Sequence, residues 1–396
     1  MKLLYGFIFL FLSLVAGSQK LIKGVVVEEE KNAPIPNASV FLNTTAIGTI
    51  TTTHGDFSLT IPNGKFELVV SAIGYETYAQ SINAIDAPDF ITVKMKIKVQ
   101  ELEAVTIQPY EKDGWQKWGQ FFLENFIGKS AFAKDCKIKN IDAIKFRYST
   151  NKELSAFADE PLVIENRALG YTLRYQLESF QYSFGTHYLL HTGYPFFQPM
   201  KGNSARQRRW EHNRNEAFEA SMMHFMRAIY RNKINEEGFE LRALEKVPNL
   251  EKQRVKAVYA GNSRTIKSED GRLTMMAINK DSADYYSSIM RQPDYTNVIG
   301  KNILTGDSVA YSIDSTTAGM DFKNYLLVIY NKMAPREFRQ QFPGASAGMM
   351  SEITLINGEP IEIQANGNYF HPINLMSTGY WAWSEKIATM LPFDYK

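Results

Sequence analysis

Between residues 20 and 98 the sequence alternates apolar and polar side chains with period two, again and again. Phe57, Leu59 and Ile61 fall on one face, as do Phe66, Leu68, Val70 and Ala72, and then Ile91, Val93, Met95 and Ile97. In the opening stretch Val25 and Val27 alternate with Gly24, Val26 and Glu28. A period of two puts successive side chains on opposite faces of a strand, so each run predicts a strand with one buried face. The residues between the runs have turn chemistry. Pro34, Pro36 and Asn37 make one loop, His54-Gly55-Asp56 another, and Pro62-Asn63-Gly64 a third. The Asn-Gly pair tolerates the positive φ that a tight hairpin needs. Gly74 falls where a strand must bend or end. Six or seven short strands with no helical period predict a β-sandwich.

The order of these segments carries a resemblance. Gly24-Val25-Val26, Ile35-Pro36-Asn37-Ala38-Ser39-Val40, Gly55-Asp56-Phe57-Ser58-Leu59 and Val70-Ser71-Ala72-Ile73-Gly74-Tyr75 together resemble the carboxypeptidase regulatory-like domain. That resemblance implies a transthyretin-like or Ig-like fold, a seven-stranded antiparallel β-sandwich over 20–98. The family carries Asp shortly before the turn glycine, where this chain has Thr52-Thr53-His54. The domain accompanies zinc carboxypeptidases without performing their chemistry. Those enzymes hold zinc with a His and a Glu three residues on, plus a distant His. None of the six histidines, His54, His187, His191, His212, His224 and His371, has Glu or Asp at that spacing. The sequence implies no cofactor and no metal.

The first residues read as an export signal over 1–18. Lys2 supplies a positive start, Leu3 to Ala16 an apolar run of 14 residues, and Ala16-Gly17-Ser18 the small residues a peptidase needs before Gln19. Fourteen residues fall short of the roughly 20 that span a bilayer, so no transmembrane span is expected once the signal is removed. Export leads to the periplasm, the periplasmic face of the outer membrane, or the medium. Cys136 is the single cysteine, so no internal disulfide can form. The net charge of +2 falls by one with the loss of Lys2 and gives no reason to expect nucleic acid as a partner.

Residues 99–108, Val99-Gln100-Glu101-Leu102-Glu103-Ala104-Val105-Thr106-Ile107 and Gln108, read as a linker. They are similar to the segment that joins this same domain to the plug of TonB-dependent transporters. A 22-stranded barrel at about ten residues per strand needs more than the roughly 290 residues that follow. The chain is therefore no transporter, although such a transporter is an envelope partner the resemblance suggests.

Residues 109–396 read as a larger, β-rich α+β domain. A helix is predicted from Asp113, with Asp113 and Gln116 as a capping box, Gly128 as its end, and Trp115, Trp118, Phe122 and Phe126 on one face. Tyr171, Leu173, Tyr175 and Leu177 predict a strand. A second helix is expected over about Asn215 to Asn232, with Phe218, Met222, Phe225, Met226 and Ile229 as its stripe. Residues 235–300 show no legible period. Asn357-Gly358 and Asn366-Gly367 predict turns between short strands, and a last helix is expected over about Trp381 to Met390. Pro161-Leu162-Val163-Ile164-Glu165-Asn166, His224-Phe225-Met226-Arg227-Ala228 and Gly379-Tyr380-Trp381 are similar to an uncharacterised region that follows the regulatory-like domain in Bacteroidetes cell-envelope proteins. This implies location and architecture, and no mechanism.

Four groups of residues could carry chemistry. Gly344-Ala345-Ser346-Ala347-Gly348 fits the pattern of a nucleophile elbow, but its flanks are no strand-to-helix turn and only His371 follows, with no Asp between, so it reads as a small-residue loop. His187 and His191 would share a metal on a helix, but their neighbours favour a strand, where residues four apart are about 13 Å distant. Arg206, Arg208, Arg209 and Arg214 surround Trp210 and could grip an anionic group, though a solvated loop is the plainer reading. His224 with Arg227 could face a cleft or brace a neighbouring sheet. Abundant Tyr and Trp invite glycan stacking, yet the same residues build β-rich cores. The leading expectation is an exported, non-catalytic envelope protein that docks on an envelope protein or glycan. The alternatives are a periplasmic hydrolase of peptide or polysaccharide, and a self-assembling structural subunit.

Overall fold

The computed structural model of the chain describes residues 19–98, 109–261, 263–267, 273–277, 283–344 and 348–396. The export signal, the 99–108 linker and Ala345 to Ala347 of the elbow-like loop lie outside them. The described residues form two compact units. One holds residues up to 223 with 364–368 and 384–396, and the other holds 224–363 with 369–383. The architecture is mainly β, with seven short to medium α-helices among the described residues.

The first unit opens with the expected sandwich. Its strands are β1 (Lys20–Glu28), β2 (Ser39–Leu42), β3 (Gly48–Ile50), β4 (Asp56–Ile61), β5 (Lys65–Ser71), β6 (Tyr78–Asn83) and β7 (Phe90–Met95). They form two sheets, ordered β4-β1-β7 and β3-β2-β5-β6. All pairings are antiparallel except β1 with β7, which run parallel. The alternating residues face inward: Phe57, Leu59, Ile61, Phe66, Leu68, Val70, Ile91, Val93 and Met95 join one core with Ile22, Val26, Val40 and Leu42. Two details differ from the sequence reading. In β1 the inward set is Ile22, Gly24 and Val26, with Val25 only half-buried, because the even positions are the ones that meet the core of the central strand. The Pro62-Asn63-Gly64 turn, with Gly64 at φ +115°, does not close a hairpin within one sheet. It carries the chain from β4 in one sheet to β5 in the other.

The same unit contains a second sheet. Its strands are β8 (Cys136–Ile138), β9 (Ile144–Tyr148), β10 (Glu153–Ala158), β11 (Leu162–Asn166), β12 (Tyr171–Ser183) and β13 (Tyr188–Pro199). The long β12 pairs with β11 through its first half and with β10 through its second, while β13 follows its other edge past an irregularity between Leu177 and Ser179. Helix α1 (Gly114–Phe126) packs on this sheet. Phe122 lies 5.7 Å from Phe146 and 4.8 Å from Phe180, and Phe126 lies edge-on to Tyr175 at 5.1 Å. Asp113 makes no side-chain cap, contrary to the expected capping box. Gly128 does end the helix: at φ +100° its N–H reaches Leu123 O, 3.1 Å away.

The sandwich is knit into this sheet. Thr44 N–H donates to Pro195 O at 2.9 Å, and Phe197 N–H donates to Thr45 O at 2.9 Å. Phe41 packs on Phe196 with ring centroids 5.2 Å apart. Phe41 and its cross-strand neighbour Val69 point away from the sandwich core, yet they are 4% and 0% exposed. A sheet face that would meet water in a free sandwich is therefore covered. Ser71 Oγ donates to Gln176 Oε1 at 3.3 Å, and the tail closes over the junction through Phe393 N–H to Thr44 O at 2.7 Å.

The expected helix over Asn215 to Asn232 is two helices. Helix α2 (Ser204–Phe218) starts earlier, capped by the Asn203 side chain, and α3 (Met222–Tyr230) follows after Ala220 at φ +62°. The arginine-rich run hid α2, because two buried residues seven apart, Trp210 and Ala217, suffice to anchor it.

The second unit fills the stretch that showed no period. Strand β14 (Phe239–Pro248) leads to α4 (Leu250–Gly261), the hairpin β15 (Ser263–Lys267) and β16 (Leu273–Ala277), α5 (Ala283–Arg291) and β17 (Tyr295–Ile299), which returns to pair with β14. Beyond come β18 (Ala310–Ser312), β19 (Thr317–Met320), β20 (Tyr325–Met333), α6 (Arg336–Gln341), β21 (Gly348–Leu355), β22 (Ile361–Gln364), β23 (Tyr369–Phe370), β24 (Leu375–Gly379) and α7 (Tyr380–Ser384). One sheet runs β17-β14-β20-β21-β24 and another β18-β19-β22-β23. The last helix ends at Ser384, six residues short of the expected Met390. The chain then makes a turn over 386–389, with Ile387 and Ala388 N–H bonded to the Phe126 and Ile127 carbonyls at 3.1 and 3.0 Å.

Gly24 tests the packing of the sandwich. A Cβ there would stand 2.3 Å from Ile91 O and 2.5 Å from the Phe57 ring. The backbone carbonyl cannot retreat as a side chain could. Gly24→Ala should cost about 3 kcal/mol of stability, read as a lowered denaturation midpoint; an unchanged midpoint would contradict the β1–β7 register.

Candidate functional site

The basic cluster lies on α2, with its members put to different uses. Trp210 is buried, and its indole N–H donates to Arg167 O at 2.9 Å. The ring lies against Gly170 and Gly202, where an added Cβ would come within 2.3 and 2.6 Å of it. Asn213 donates to Ala168 O at 2.7 Å, and Arg214 Nε to Leu169 O at 2.8 Å. The Arg214 guanidinium also lies 4.1 Å from the centre of the Tyr171 ring. Three side chains of one helix thus donate to the carbonyls of the turn between β11 and β12, a tight turn whose own residues cannot bond them all. From inside, buried Asn166 receives Leu169 N–H at 3.1 Å and donates to Ala388 O at 2.9 Å. Arg209 pairs with Asp135 at 3.2 Å on the surface. Arg206 and Arg208 are exposed. Of the five cluster residues on α2, these three arginines present charge outward, while Trp210 and Arg214 serve the turn.

His224 and Arg227 belong to the second unit. His224 is buried, with Nε2 3.2 Å from Glu237 Oε2 and its ring edge-on to Phe239 at 4.9 Å. Glu237 also meets Arg231 at 2.8 Å. Phe239 belongs to β14, so this histidine sits against the sheet. His187 lies in the turn before β13 at φ +56°, and Tyr182 Oη is 3.2 Å from its Nδ1. Cys136 is buried, and that burial pushes its thiol up to about 12, far from a reactive thiolate. Among the described residues no three His, Cys, Asp or Glu gather as metal ligands do, and no helix is long and apolar enough to cross a membrane.

A group of titratable residues that sequence reasoning missed lies under the end of α1. His191 on β13 is edge-on to Phe126 at 5.7 Å, and its Nδ1 is shut from solvent with no hydrogen-bond partner. Burial, and then the charge of Lys386, hold its imidazole down to about 3, so it is neutral. Glu385 accepts Met222 N–H at 2.9 Å, the first residue of α3, and burial raises its carboxyl to about 7 against that bond. Burial lowers Lys386 to about 8, partly offset by Glu385. No local pattern marks these residues, since they meet only through the turn after α7. Nor could the sequence assign the aromatics. Trp118, Tyr148, Phe121, Tyr182 and Phe184 pack on one another at 4.8 to 6.5 Å.

Residues 22–107 match the family described as the CarboxypepD_reg-like domain, which agrees with the resemblance read from the strand order. No curated protein matches the chain. Solved structures similar to it include a mercury-inhibited catechol 1,2-dioxygenase from an Acinetobacter species, at 13% identity and a TM-score of 0.18, covering 24% of this chain and 59% of that one. A DUF3823-family protein from Bacteroides ovatus has 9% identity and a TM-score of 0.18, covering 47% of this chain and 83% of that one. A Bacteroides fragilis protein of unknown function, provisionally described as membrane-associated, has 10% identity and a TM-score of 0.17, covering 91% and 95%. The N-terminal sandwich is thus a carboxypeptidase regulatory-like domain, carried by a larger β-rich α+β chain.

The titrating group gives a pH prediction. A carboxyl raised from 4.5 to about 7 in the fold contributes stability below its unfolded value and loses it as pH rises through 7. Neutral His191 acts oppositely, losing its contribution as pH falls from 6.5 toward 3. Glu385→Gln should therefore remove about 1–3 kcal/mol of the fall in stability between pH 5 and 8. His191→Phe should flatten the limb below pH 6. Denaturant melts at each pH read both, and parallel curves for Glu385→Gln and the native chain would contradict the burial of that carboxylate.

Proposed function

We propose that this is an exported, non-catalytic envelope protein, a docking module for an envelope protein or glycan on the periplasmic side. The observation that carries the reading is the fixed seat of the regulatory-like sandwich on the β12–β13 sheet, where Phe41 and Val69 are buried and backbone bonds join Thr44 and Thr45 to Pro195 and Phe197. An accessory domain held in this way presents its free surfaces at a set angle to the rest of its unit. That suits recognition of a second macromolecule better than gating of a reaction. The apolar run of residues 3–16 supports export. The 99–108 segment, similar to the connection in TonB-dependent transporters, supports a transporter or another outer-membrane protein as partner. The outward arginines of α2, Arg206 and Arg208, with Arg209 beside them paired to Asp135, supply a cationic contact for an anionic group of that partner. They stand exposed on a chain whose net charge is close to zero.

Gentle affinity capture of the tagged full chain from its native envelope tests the reading. One envelope protein or glycan should be recovered reproducibly, and Arg206→Glu with Arg208→Glu should reduce its recovery about fivefold or more. Turnover of a peptide or polysaccharide by the purified chain would contradict it and favour the hydrolase alternative. Recovery of the chain alone, as a homo-oligomer, would favour the structural subunit.

A further inference from the structure

The outer face of the second sheet carries an arginine oriented by two aromatic rings. Arg147 on β9 lies beside Tyr110, which leads into α1, and Phe157 on β10. Its guanidinium carbon is 4.3 Å from the centre of the Tyr110 ring and 4.9 Å from that of Phe157. The two rings stand edge-to-face, 5.8 Å apart at 69°. Two π faces on one guanidinium restrict its rotation and orient its plane. The position is fixed from below, since Glu111 N–H bonds Phe146 O at 2.9 Å and so holds Tyr110 next to β9.

The charge is not spent within the described residues. Arg147 makes no ion pair with them, and its Nε is shut from solvent without a hydrogen-bond partner. Glu153, the acidic side chain nearest in the β9–β10 register, is exposed on the same face and makes no ion pair with Arg147, and Asp159, farther along, pairs with Lys145. A sealed Nε leaves the terminal nitrogens as the edge that can meet a ligand, and two parallel N–H groups there match the two oxygens of a carboxylate. Directly across the strands from this edge, between Lys145 and Glu153 on the same face, the sheet places uncharged groups. Ser155 is the cross-strand partner of Arg147, and Gln181 on β12 is the partner of Ser155. Tyr110 remains 40% exposed, so a ring edge and a hydroxyl flank the same site.

We propose that Arg147, with Tyr110, Phe157, Ser155 and Gln181, binds a carboxylate-bearing sugar of an anionic glycan. Charge complementarity requires the anion. The row of hydroxyl and amide side chains beside half-exposed rings favours a sugar over a bare ion, because a pyranose offers hydroxyls to the former and C–H faces to the latter. The inference extends the docking reading but does not use the α2 arginines, so failure here would leave affinity capture as an independent test of that reading.

The test uses the full chain labelled with [15N]arginine, with the Arg147 Nε–H signal assigned by its absence in Arg147→Lys. The probe is oligogalacturonate. Saturable movement of that signal is expected, reversed by 0.5 M salt on the order of Debye screening. Affinity should fall about tenfold in Arg147→Lys and about threefold in Tyr110→Ala, with thermal midpoints unchanged. Several results would overturn the proposal: no movement, equal movement with a neutral oligoglucan, equal affinity for inorganic phosphate or a poly-glutamate peptide, or full affinity in Arg147→Lys. So would a signal that moves in Glu101→Gln with Glu103→Gln but not with oligogalacturonate, which would make the chain's own linker the occupant.

Discussion

Two backbone hydrogen bonds, Thr44 N–H to Pro195 O and Phe197 N–H to Thr45 O, decide what kind of object the first unit is. A carboxypeptidase regulatory-like sandwich can close its own core and stand alone. Here the loop between β2 and β3 adds itself to the end of β13 like a short extra strand. Thr45 is fully buried there, with its hydroxyl bonded to Leu42 O at 2.8 Å. Once this bridge forms, Phe41 must lie on Phe196, and the β2–β5 face that would otherwise need polar residues becomes an interior surface. The C-terminal residues then close over the junction, with Asp394 accepting Ala46 N–H at 3.0 Å and Phe393 bonding Thr44.

The polar side chains of this unit divide between upkeep and display. The turn between β11 and β12 presents three carbonyls in a row, and Trp210, Asn213 and Arg214 donate to them from α2, while Asn166 accepts the Leu169 N–H from within. These residues look like a basic, aromatic ligand site in the sequence because the same donors that hold an oxyanion also hold a carbonyl. The geometry separates the two uses. Trp210 is sealed between two glycines and Arg214 is spent on backbone oxygens, whereas Arg206 and Arg208 face water. Arg147 is the converse case. It drew no notice within a strand that alternates cleanly, yet its guanidinium is oriented by two aromatic faces and makes no ion pair among the described residues.

How much of this was legible follows from the range of each interaction. The sandwich could be read strand by strand, because burial on one face imprints a period of two over neighbouring residues. Even its docking left a trace. Val40-Phe41-Leu42 and Leu68-Val69-Val70 are unbroken apolar runs, which a strand with one wet face does not need. Helix α1 was legible from its aromatic stripe. Helix α2 was not, because a surface helix anchored at two positions has almost no apolar period. The Glu385, Lys386 and His191 group could not be found at all from sequence. It depends on a chain reversal that brings residues nearly two hundred positions apart under one helix end, and no local spacing encodes that.

Hydrogen exchange at increasing denaturant tests the central claim that the sandwich and the second sheet form one cooperative body. Val40 and Leu42 lie in β2 opposite Val70 and Leu68 of β5, and Leu173 and Tyr175 lie in β12 opposite Ile164 and Leu162 of β11. If the backbone bridge unites them, they should open together, with the same free energy and the same denaturant dependence. Opening of the β2 and β5 amides in a separate, weaker step, with β12 still protected, would show a domain merely resting on its neighbour and would contradict the account.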